Sequence, residues 1–392
     1  MTSTTKDLVY ITGTSQLVQV TSDTSYELVV TKADADSIGT EIPRLQSLPT
    51  HLTTNKVVIL DSVNSGTGRS TDKNLYEQLI KPLFDNVLRV KHEYIATVSA
   101  ETITEYAHKF DNDEPTTIIF ISGDTSVNEF INGLEESQHS STITIFPFPS
   151  GTGNSLALSI DLTDEVNALQ KLITSTKVSP LNLYEVEFPK GSYYLVRDEK
   201  TTEITQPLKF LVVLSWAFHA SLVADSDTPE LRKFGLERFK KAAFANLEQE
   251  QKYEGEFIIN NGQTTISGPF AYWLITASKR FEPTFEISPQ GDILEDSLYL
   301  VSFNTEDNGT YIMDIMGKVY SNGSHINDHR VSYKKLQKHD TLTLKARNLI
   351  SKQKRRFCLD GSIIELPATE ETELKFSVSD NVYKNRSIYI IN

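Results

Sequence analysis

Cysteine is almost missing from this sequence: 392 residues hold one, Cys358. That excludes an intramolecular disulfide framework and any thiolate metal cluster. Basic charge is also scarce, with 38 Lys and Arg against 52 Asp and Glu and a net charge of −14. A general nucleic-acid binder carries a basic footprint, so none is expected here. Long apolar runs are absent as well. The most apolar stretch, Phe210–Phe218, is nine residues broken by Ser215, whereas a membrane-spanning helix needs about 20. The segment Met1–Gln16 is polar and lacks the apolar stretch of a signal peptide. These absences lead to the expectation of a cytoplasmic protein, at most peripheral to a membrane. What is present is ordinary globular composition, 39% hydrophobic and 23% charged, in a chain too long for one ordinary core and comfortable for two.

The order of patterns divides the chain into three. Residues 1–50 carry strand-like runs, Leu8–Thr12, Leu17–Thr21 and Tyr26–Thr31, separated by turn residues. Residues 51–178 alternate strand and helix. Strands are expected at Lys56–Leu60, His92–Val98, Thr116–Ile121 and Thr142–Phe148; helices are expected over Asn74–Leu88, Glu101–Phe110, Val127–Leu134 and from Ser155. Pro82 lies within the first helix pattern and is expected to kink or break it. Such alternation predicts a parallel sheet covered by helices. Residues 179–392 are β-rich. Strands are expected at Leu181–Phe188, Tyr193–Val196, Leu208–Leu214, Phe257–Asn260, Tyr272–Thr276, Leu298–Phe303, Leu342–Leu344 and Phe357–Ile364, interrupted by one helical island, Thr228–Gln251. An antiparallel sandwich follows from that pattern, with Trp216 and Trp273 in its core. The fold class is therefore α/β plus all-β.

Glycine is concentrated at three strand-to-helix junctions: Ser62–Arg69, Ser122–Ser126 and Pro149–Asn154. These 19 residues hold five of the 18 glycines. A strand ending in a glycine turn before a helix aims backbone N–H groups and a positive helix end at one place, which suits phosphate. Such loops gather at the C-terminal edge of an open α/β sheet. None carries the Gly-Lys-Ser/Thr ending of a Walker loop or the G-x-G-x-x-G fingerprint.

In order, the blocks Asn-Ser-Gly-x-Gly (64–68), Ser-Gly-Asp-x-x-x-Asn-Glu (122–129) and Pro-Ser-Gly-Thr-Gly-Asn (149–154) resemble the catalytic domain of diacylglycerol, sphingosine and ceramide kinases. Ser215–Ala220, Ala224-Asp225-Ser226-Asp227, the Arg232–Phe239 block and Leu359-Asp360-Gly361 extend the resemblance over about residues 55–365. The Ala-Asp-x-Asp and Arg-x-x-Gly-x-x-Arg-Phe blocks look most like the sphingosine and ceramide kinase branch. This likeness implies a nucleotide-binding lobe of the NAD kinase/diacylglycerol kinase type and a β-rich lipid-binding lobe. It also implies transfer of the ATP γ-phosphate, with Mg²⁺, to a primary hydroxyl of a sphingoid base, ceramide or diacylglycerol.

By the same resemblance Asp124 is the catalytic residue, as general base or in a metal-linked role. Ser65, Gly66 and Gly68 would lie near the adenine or phosphates, with Gly123 and Thr125 in the second loop. Gly151, Thr152, Gly153 and Asn154 would line the phosphates and ribose, and Arg232 and Arg238 would contact phosphate. Asp360 and Gly361 would complete the nucleotide side, and Asp225 and Asp227 would meet the polar head of the lipid. On an unbroken helix Arg232 and Arg238, six residues apart, would project about 120° from one another. His219 is expected to be structural.

Two departures favour a second reading, a non-catalytic nucleotide- and lipid-binding relative. Thr125 stands where the family has glycine, and a left-handed backbone there would cost about 1–2 kcal/mol. Ser362 replaces the usual acid after the terminal Asp-Gly. A third reading, a soluble-substrate kinase related to NAD kinase, is opposed by the Ala-Asp-x-Asp and Arg-Phe blocks. Finally, residues 334–356 hold nine Lys and Arg against one acid, Asp340, which leaves the rest of the chain at −22. That segment reads as a solvated β-hairpin face, with contact to anionic lipid as the alternative.

Overall fold

The computed structural model describes residues 3–65, 73–111, 113–150, 153–307, 310–378 and 381–392. The chain opens with an antiparallel meander, Thr4–Ile11, Gln16–Ser22 and Tyr26–Lys32, joined in parallel on the first strand by Arg44–Leu45. It packs on the α/β lobe. Tyr26 Oη donates to Glu165 at 2.6 Å, and Lys6 pairs with Asp164 at 3.0 Å.

The alternating segment forms the expected parallel sheet. From one edge inward its strands run Glu93–Ala96, Lys56–Asp61, Thr116–Ser122 and Ser141–Pro149. Thr116–Ser122 is buried along its whole length, as a strand covered by helices on both faces must be. The helix pattern over residues 74–88 becomes two wide π-type turns, Tyr76–Ile80 and Leu83–Leu88, on either side of Lys81-Pro82. Proline has no N–H to continue the i→i−4 ladder, so the turns widen there while Leu79, Ile80, Leu83 and Phe84 stay buried.

Two strands of this sheet, Val382–Tyr383 and Arg386–Ile391, come from the far end of the chain. Arg386–Ile391 pairs in parallel with Ser141–Pro149, although the pattern puts it with the β-rich lobe. Ile388, Ile390 and Ile391 cover the open edge, and the buried Arg386 guanidinium donates to the carbonyls of Phe110, Glu135 and Lys384. The sequence segment 179–392 thus contributes to both lobes.

The β-rich lobe is an antiparallel sandwich of a six-stranded and an eight-stranded sheet. Trp273 on the larger sheet meets Phe257 and Phe376 on the smaller at ring separations of 5.5 and 5.9 Å. Trp216 stacks on Phe357 at 5.6 Å. Both tryptophans are core residues, as their context predicts.

Three single elements expected from the sequence are each split in two. Leu208–Leu214 becomes Leu208–Phe210 and Val213–Ala217, on different sheets. Phe357–Ile364 becomes the hairpin Arg356–Leu359 and Ser362–Glu365, turning at Asp360-Gly361, both with positive φ (47° and 94°). Positive φ at both central residues is the type I′ arrangement that Asp-Gly favours. The helical island becomes Pro229–Arg232 and Glu237–Leu247, parted where Gly235 takes φ 56°.

The basic segment 334–356 does not form one face. Val331–Leu336 belongs to the larger sheet and Leu342–Arg347 to the smaller. Its cations are largely neutralised from elsewhere: Lys335 by Glu295, Lys345 by Glu373, Arg347 by Glu256 and Glu371, Lys352 by Asp198, Arg355 by Glu365 and Arg356 by Asp225. Among the described residues no helix is long and apolar enough to cross a membrane.

Candidate active site

The loops after the three central parallel strands meet at one edge. Ser62 N donates to Ile121 O at 3.1 Å, Ser150 N to Ser122 O at 3.4 Å, and Ser65 Oγ to Ser150 O at 3.5 Å. Ser65, Gly123 and Asn154 are therefore brought together, as the glycine pattern predicts. Gly66, Gly68, Gly151 and Thr152 lie outside the described residues. Gly123 is extended (φ −98°, ψ −177°), so its role is not a left-handed turn. Gly153 is exposed, and a methyl group there would meet nothing within 4 Å.

Asp124 is the first residue of the helix Asp124–Gly133 and faces the start of a second helix, Ser155–Ser159. Its Oδ2 accepts Ser155 N–H at 2.8 Å and its Oδ1 accepts Leu156 N–H at 3.0 Å. Burial pushes its pKa up to about 7 against those two donors, and the neighbouring Asp360 acts in the same direction as burial. Asn154 caps the second helix: Oδ1 accepts Ala157 N–H at 2.9 Å while Nδ2 donates to Ser122 O at 2.8 Å. This buried amide ties the second loop to the third and spends its hydrogen bonds within the protein.

Thr125 lies in a regular helix with negative φ, so the left-handed strain anticipated for it does not arise. Its Oγ1 donates to Asp360 O at 3.0 Å. Gly361 is held beside it, where a Cβ would come within 2.3 Å of that Oγ1. Asp360 is 2% exposed. Its carboxylate accepts the N–H groups of Leu211, Val212 and Val213 at 2.7, 2.9 and 2.8 Å and Asn128 Nδ2 at 2.8 Å. Burial pushes its pKa up to about 6 against these four donors, so at neutral pH it is ionised. Asp360 thus joins the lobes: its oxygens are engaged by both, on the catalytic-loop helix and on the strand crossover.

The Asp-Arg cluster stands across the first loop. Asp225 accepts Arg356 Nη1 at 2.6 Å and Asn246 Nδ2 at 2.9 Å. Asp227 accepts Arg232 Nε at 2.7 Å and Nη2 at 3.2 Å, and lies 3.5 Å from Arg238 Nη1. The break at Gly235 lets both arginines reach one carboxylate, so they do not diverge as an unbroken helix would require. Arg232 Nη1 also lies 3.5 Å from Asn64 O, which sets the cluster over the loop that starts at Ser62. His219 is half-buried against Tyr272 and Phe281 and hydrogen-bonded to Ser215 Oγ at 2.7 Å, and desolvation lowers its pKa to about 4. It is a neutral structural histidine, as expected.

Sequence reasoning missed two features of this edge. Asp61 ends the first parallel strand 1% exposed and accepts Tyr94 Oη at 3.1 Å; its only signal is an acid closing the apolar run Val57–Leu60. Ser278 and Arg280 of the β-rich lobe dock on the second helix. Ser155 Oγ lies 2.6 Å from both Ser278 Oγ and Arg280 O. No pattern in the sequence signals that contact.

Residues 57–186 match the diacylglycerol kinase catalytic domain. Over 149 residues the chain is 31% identical to sphingosine kinase B of Dictyostelium discoideum, a match covering 37% of this chain and 19% of that protein. In structure it resembles a diacylglycerol kinase from Bacillus anthracis (TM-score 0.52, 12% identity, 86% of this chain and 96% of that one). A second solved protein of that organism gives a TM-score of 0.55 at 14% identity, covering 86% of this chain and 97% of its own. At such identities the structural likeness is one of fold. The domain match and the two-lobed fold make residues 57–186, with Asp124 in the second of the three loops, similar to the catalytic domain of diacylglycerol kinases, and the chain spans about a fifth of the length of the sphingosine kinase it matches.

Proposed function

We propose that this chain is a lipid kinase that moves the γ-phosphate of ATP to a primary hydroxyl of a lipid, with a sphingoid base first and ceramide and diacylglycerol next. The observation that carries the reading is Asp124. A carboxyl held at about 7 by burial, where two helix N-termini converge, is suited to take a hydroxyl proton near neutral pH. Asp124 accepts that proton as the lipid oxygen attacks the γ-phosphorus; the bond from phosphorus to the bridging oxygen breaks and ADP leaves. Positioning and charge neutralisation dominate such a transfer. Arg232 and Arg238 supply cations at the mouth of the first loop.

Mg²⁺ belongs to the proposal as the companion of ATP. Among the described residues no three His, Cys, Asp or Glu converge into a protein cage. Mg²⁺ usually binds through one or two carboxylates, waters and the substrate phosphates, and Asp124 is the carboxylate at these loops that fits that role. When bound, the ion neutralises charge on the transferring phosphoryl group.

Asp225 and Asp227 are the candidates for the lipid head. A sphingoid ammonium would share Asp227 with two guanidinium groups, which keeps the uncharged heads of ceramide and diacylglycerol in contention. Lipid access from the same side is supported by Phe234, Leu236 and Phe244, exposed on the helical island, with Lys233 and Lys241 at 5.3 and 4.4 Å from the Phe234 ring. An apolar surface rimmed by cations suits peripheral contact with an anionic membrane. It is a better candidate than the paired cations of residues 334–356.

The test is labelled ATP with sphingosine, ceramide and diacylglycerol, comparing the wild type with Asp124→Asn. Transfer to one lipid, reduced at least about 100-fold in the variant, is the expected result. Equal labelling by both proteins would remove Asp124 from the chemistry. Labelling of none, with ATP still bound, would favour a non-catalytic binder.

A further inference from the structure

Away from the glycine-bearing edge, a cavity of ≈ 380 Å³ opens between the lobes. One wall is the C-terminal end of the helix Ser155–Ser159 together with Lys171 and Lys177; the other is formed by the segments around Arg280 and Asp292. Four cations line it, Lys171, Lys177, Lys279 and Arg280, against two carboxylates, Asp161 and Asp292.

With Glu286 counted, the four cations face three carboxylates, an excess of one positive charge. Lys279 pairs with Glu286 at 3.1 Å. The other three cations make no ion pair among the described residues. Lys171 Nζ donates to the carbonyl of Ile160 at 2.6 Å, and Arg280 Nη1 reaches only the carbonyl of Pro283 at 3.4 Å. Burial lowers the pKa of the Lys171 ammonium; Asp161 opposes that shift and Lys177 adds to it. In a chain of net charge −14, Lys171, Lys177 and Arg280 thus reach one concavity without an ion pair among the described residues, where an added anion would be their counter-charge. Removing water around them strengthens their pull on an anion.

We propose that this cavity is a second anion site, distinct from the nucleotide loops, that takes a ligand through its phosphate group. Its volume lies at the small end of ligand pockets, enough for a phosphate with a small attached group. Both the headgroup of an anionic phospholipid and a free phosphorylated metabolite present that chemistry. The site has a direct route to the catalytic loops. Ser159 and Ile160 in its wall belong to the helix whose first N–H groups hold Asp124. Ser278, two residues before Arg280, lies 2.6 Å from Ser155 Oγ and 2.8 Å from Ser159 Oγ. A phosphate bridging Arg280 to Lys171 and Lys177 ties the lobes across the contact that positions this helix, so its binding and nucleotide binding are linked reciprocally.

The test uses the full chain and two probes. Inorganic pyrophosphate is titrated calorimetrically, and phosphatidylcholine vesicles with and without phosphatidic acid are used in co-sedimentation. The wild type is compared with the double variant Lys177→Glu/Arg280→Glu, with ATP binding measured in parallel because pyrophosphate also suits the nucleotide loops. At least one probe should bind the double variant roughly tenfold more weakly, the worth of one or two charge-assisted contacts, while ATP affinity stays within about twofold. Loss confined to pyrophosphate identifies a free phosphate ligand; loss confined to the vesicles identifies a lipid headgroup. Equal binding of both probes by the two proteins overturns the proposal, as does wild type that binds neither. If the double variant fails to fold, Lys177→Gln is compared instead, with a roughly threefold weakening expected and no change overturning the proposal.

Discussion

Replacing Asp360 by alanine should be among the most damaging single changes to this protein. Four donors converge on its carboxylate within 2.7–2.9 Å: three successive backbone N–H groups, Leu211 to Val213, and the buried amide of Asn128. The three N–H groups belong to the crossover between the two sheets of the sandwich. Each buried donor left without a partner costs about 1–3 kcal/mol. Relaxation and water entry make four such losses sub-additive, and the alanine at φ 47° adds about 1 kcal/mol. The expected loss is about 4–6 kcal/mol, a large share of the 5–15 kcal/mol typical of a folded domain.

Asp360→Asn keeps an oxygen for two donors but turns an N–H₂ group toward the others, so a loss of about 2–4 kcal/mol is expected. Urea denaturation followed by tryptophan fluorescence reads both variants, since Trp216 and Trp273 sit in the sandwich core. The neighbouring turn supplies a coupled check. Gly361→Ala places a methyl group within 2.3 Å of Thr125 Oγ1 and should cost about 2 kcal/mol or more. Thr125→Ala alone should cost about 1 kcal/mol through its lost hydrogen bond. Combined, the two should cost clearly less than their sum, because the second removes the atom that clashes. If Asp360→Ala lies within about 1 kcal/mol of wild type, or the turn variants add without coupling, the carboxylate does not hold the lobes together and this account of the interface fails.

Three further outcomes follow from the geometry. Because Asp124 must be ionised to accept a proton, kcat/KM should rise tenfold per pH unit below about 7 and level off above it; a profile flat from pH 5 to 8 would rule out this base. Phe234→Ser and Phe244→Ser should each weaken co-sedimentation with phosphatidylserine-containing vesicles by roughly 3–10-fold, through lost apolar burial, while transfer to a detergent-dispersed lipid stays unchanged. Equal loss in detergent would mean that these rings act on the fold or the site. Ala217 sits buried at φ 63°, ψ −139°, a region nearly reserved for glycine. Ala217→Gly should therefore stabilise by about 0.5–1 kcal/mol in chemical denaturation, and destabilisation would mean that its methyl contacts outweigh the strain.

What the sequence made legible was whatever local physics decides. Lys56–Leu60 and Thr116–Ile121 read as strands because each holds a continuous apolar run, Val57–Leu60 and Ile118–Ile121, and both runs are buried in the sheet. The three glycine junctions read as one site because parallel strands have a common C-terminal edge. Asp360-Gly361 carries the Asp-Gly hairpin signal, but the apolar residues on both sides outweighed it, and one strand was expected in place of two. Convergence of Arg232 and Arg238 on Asp227 depends on the left-handed φ of Gly235, which the sequence permits without requiring. The return of Arg386–Ile391 to the first sheet was not legible. An alternating strand pairs with whichever edge is open, and that edge lies more than 230 residues away, at Ser141–Ile145. The pairing of the charge in residues 334–356 was not legible for the same reason. Glu256, Glu371 and Glu373, for example, come beside Arg347 and Lys345 only when the strands of the smaller sheet pair. A count along the chain cannot separate a paired cation from an unpaired one. In the folded protein Lys171, Lys177 and Arg280, none of them ion-paired among the described residues, line one cavity, and that clustering is what makes it the place to look for a bound anion.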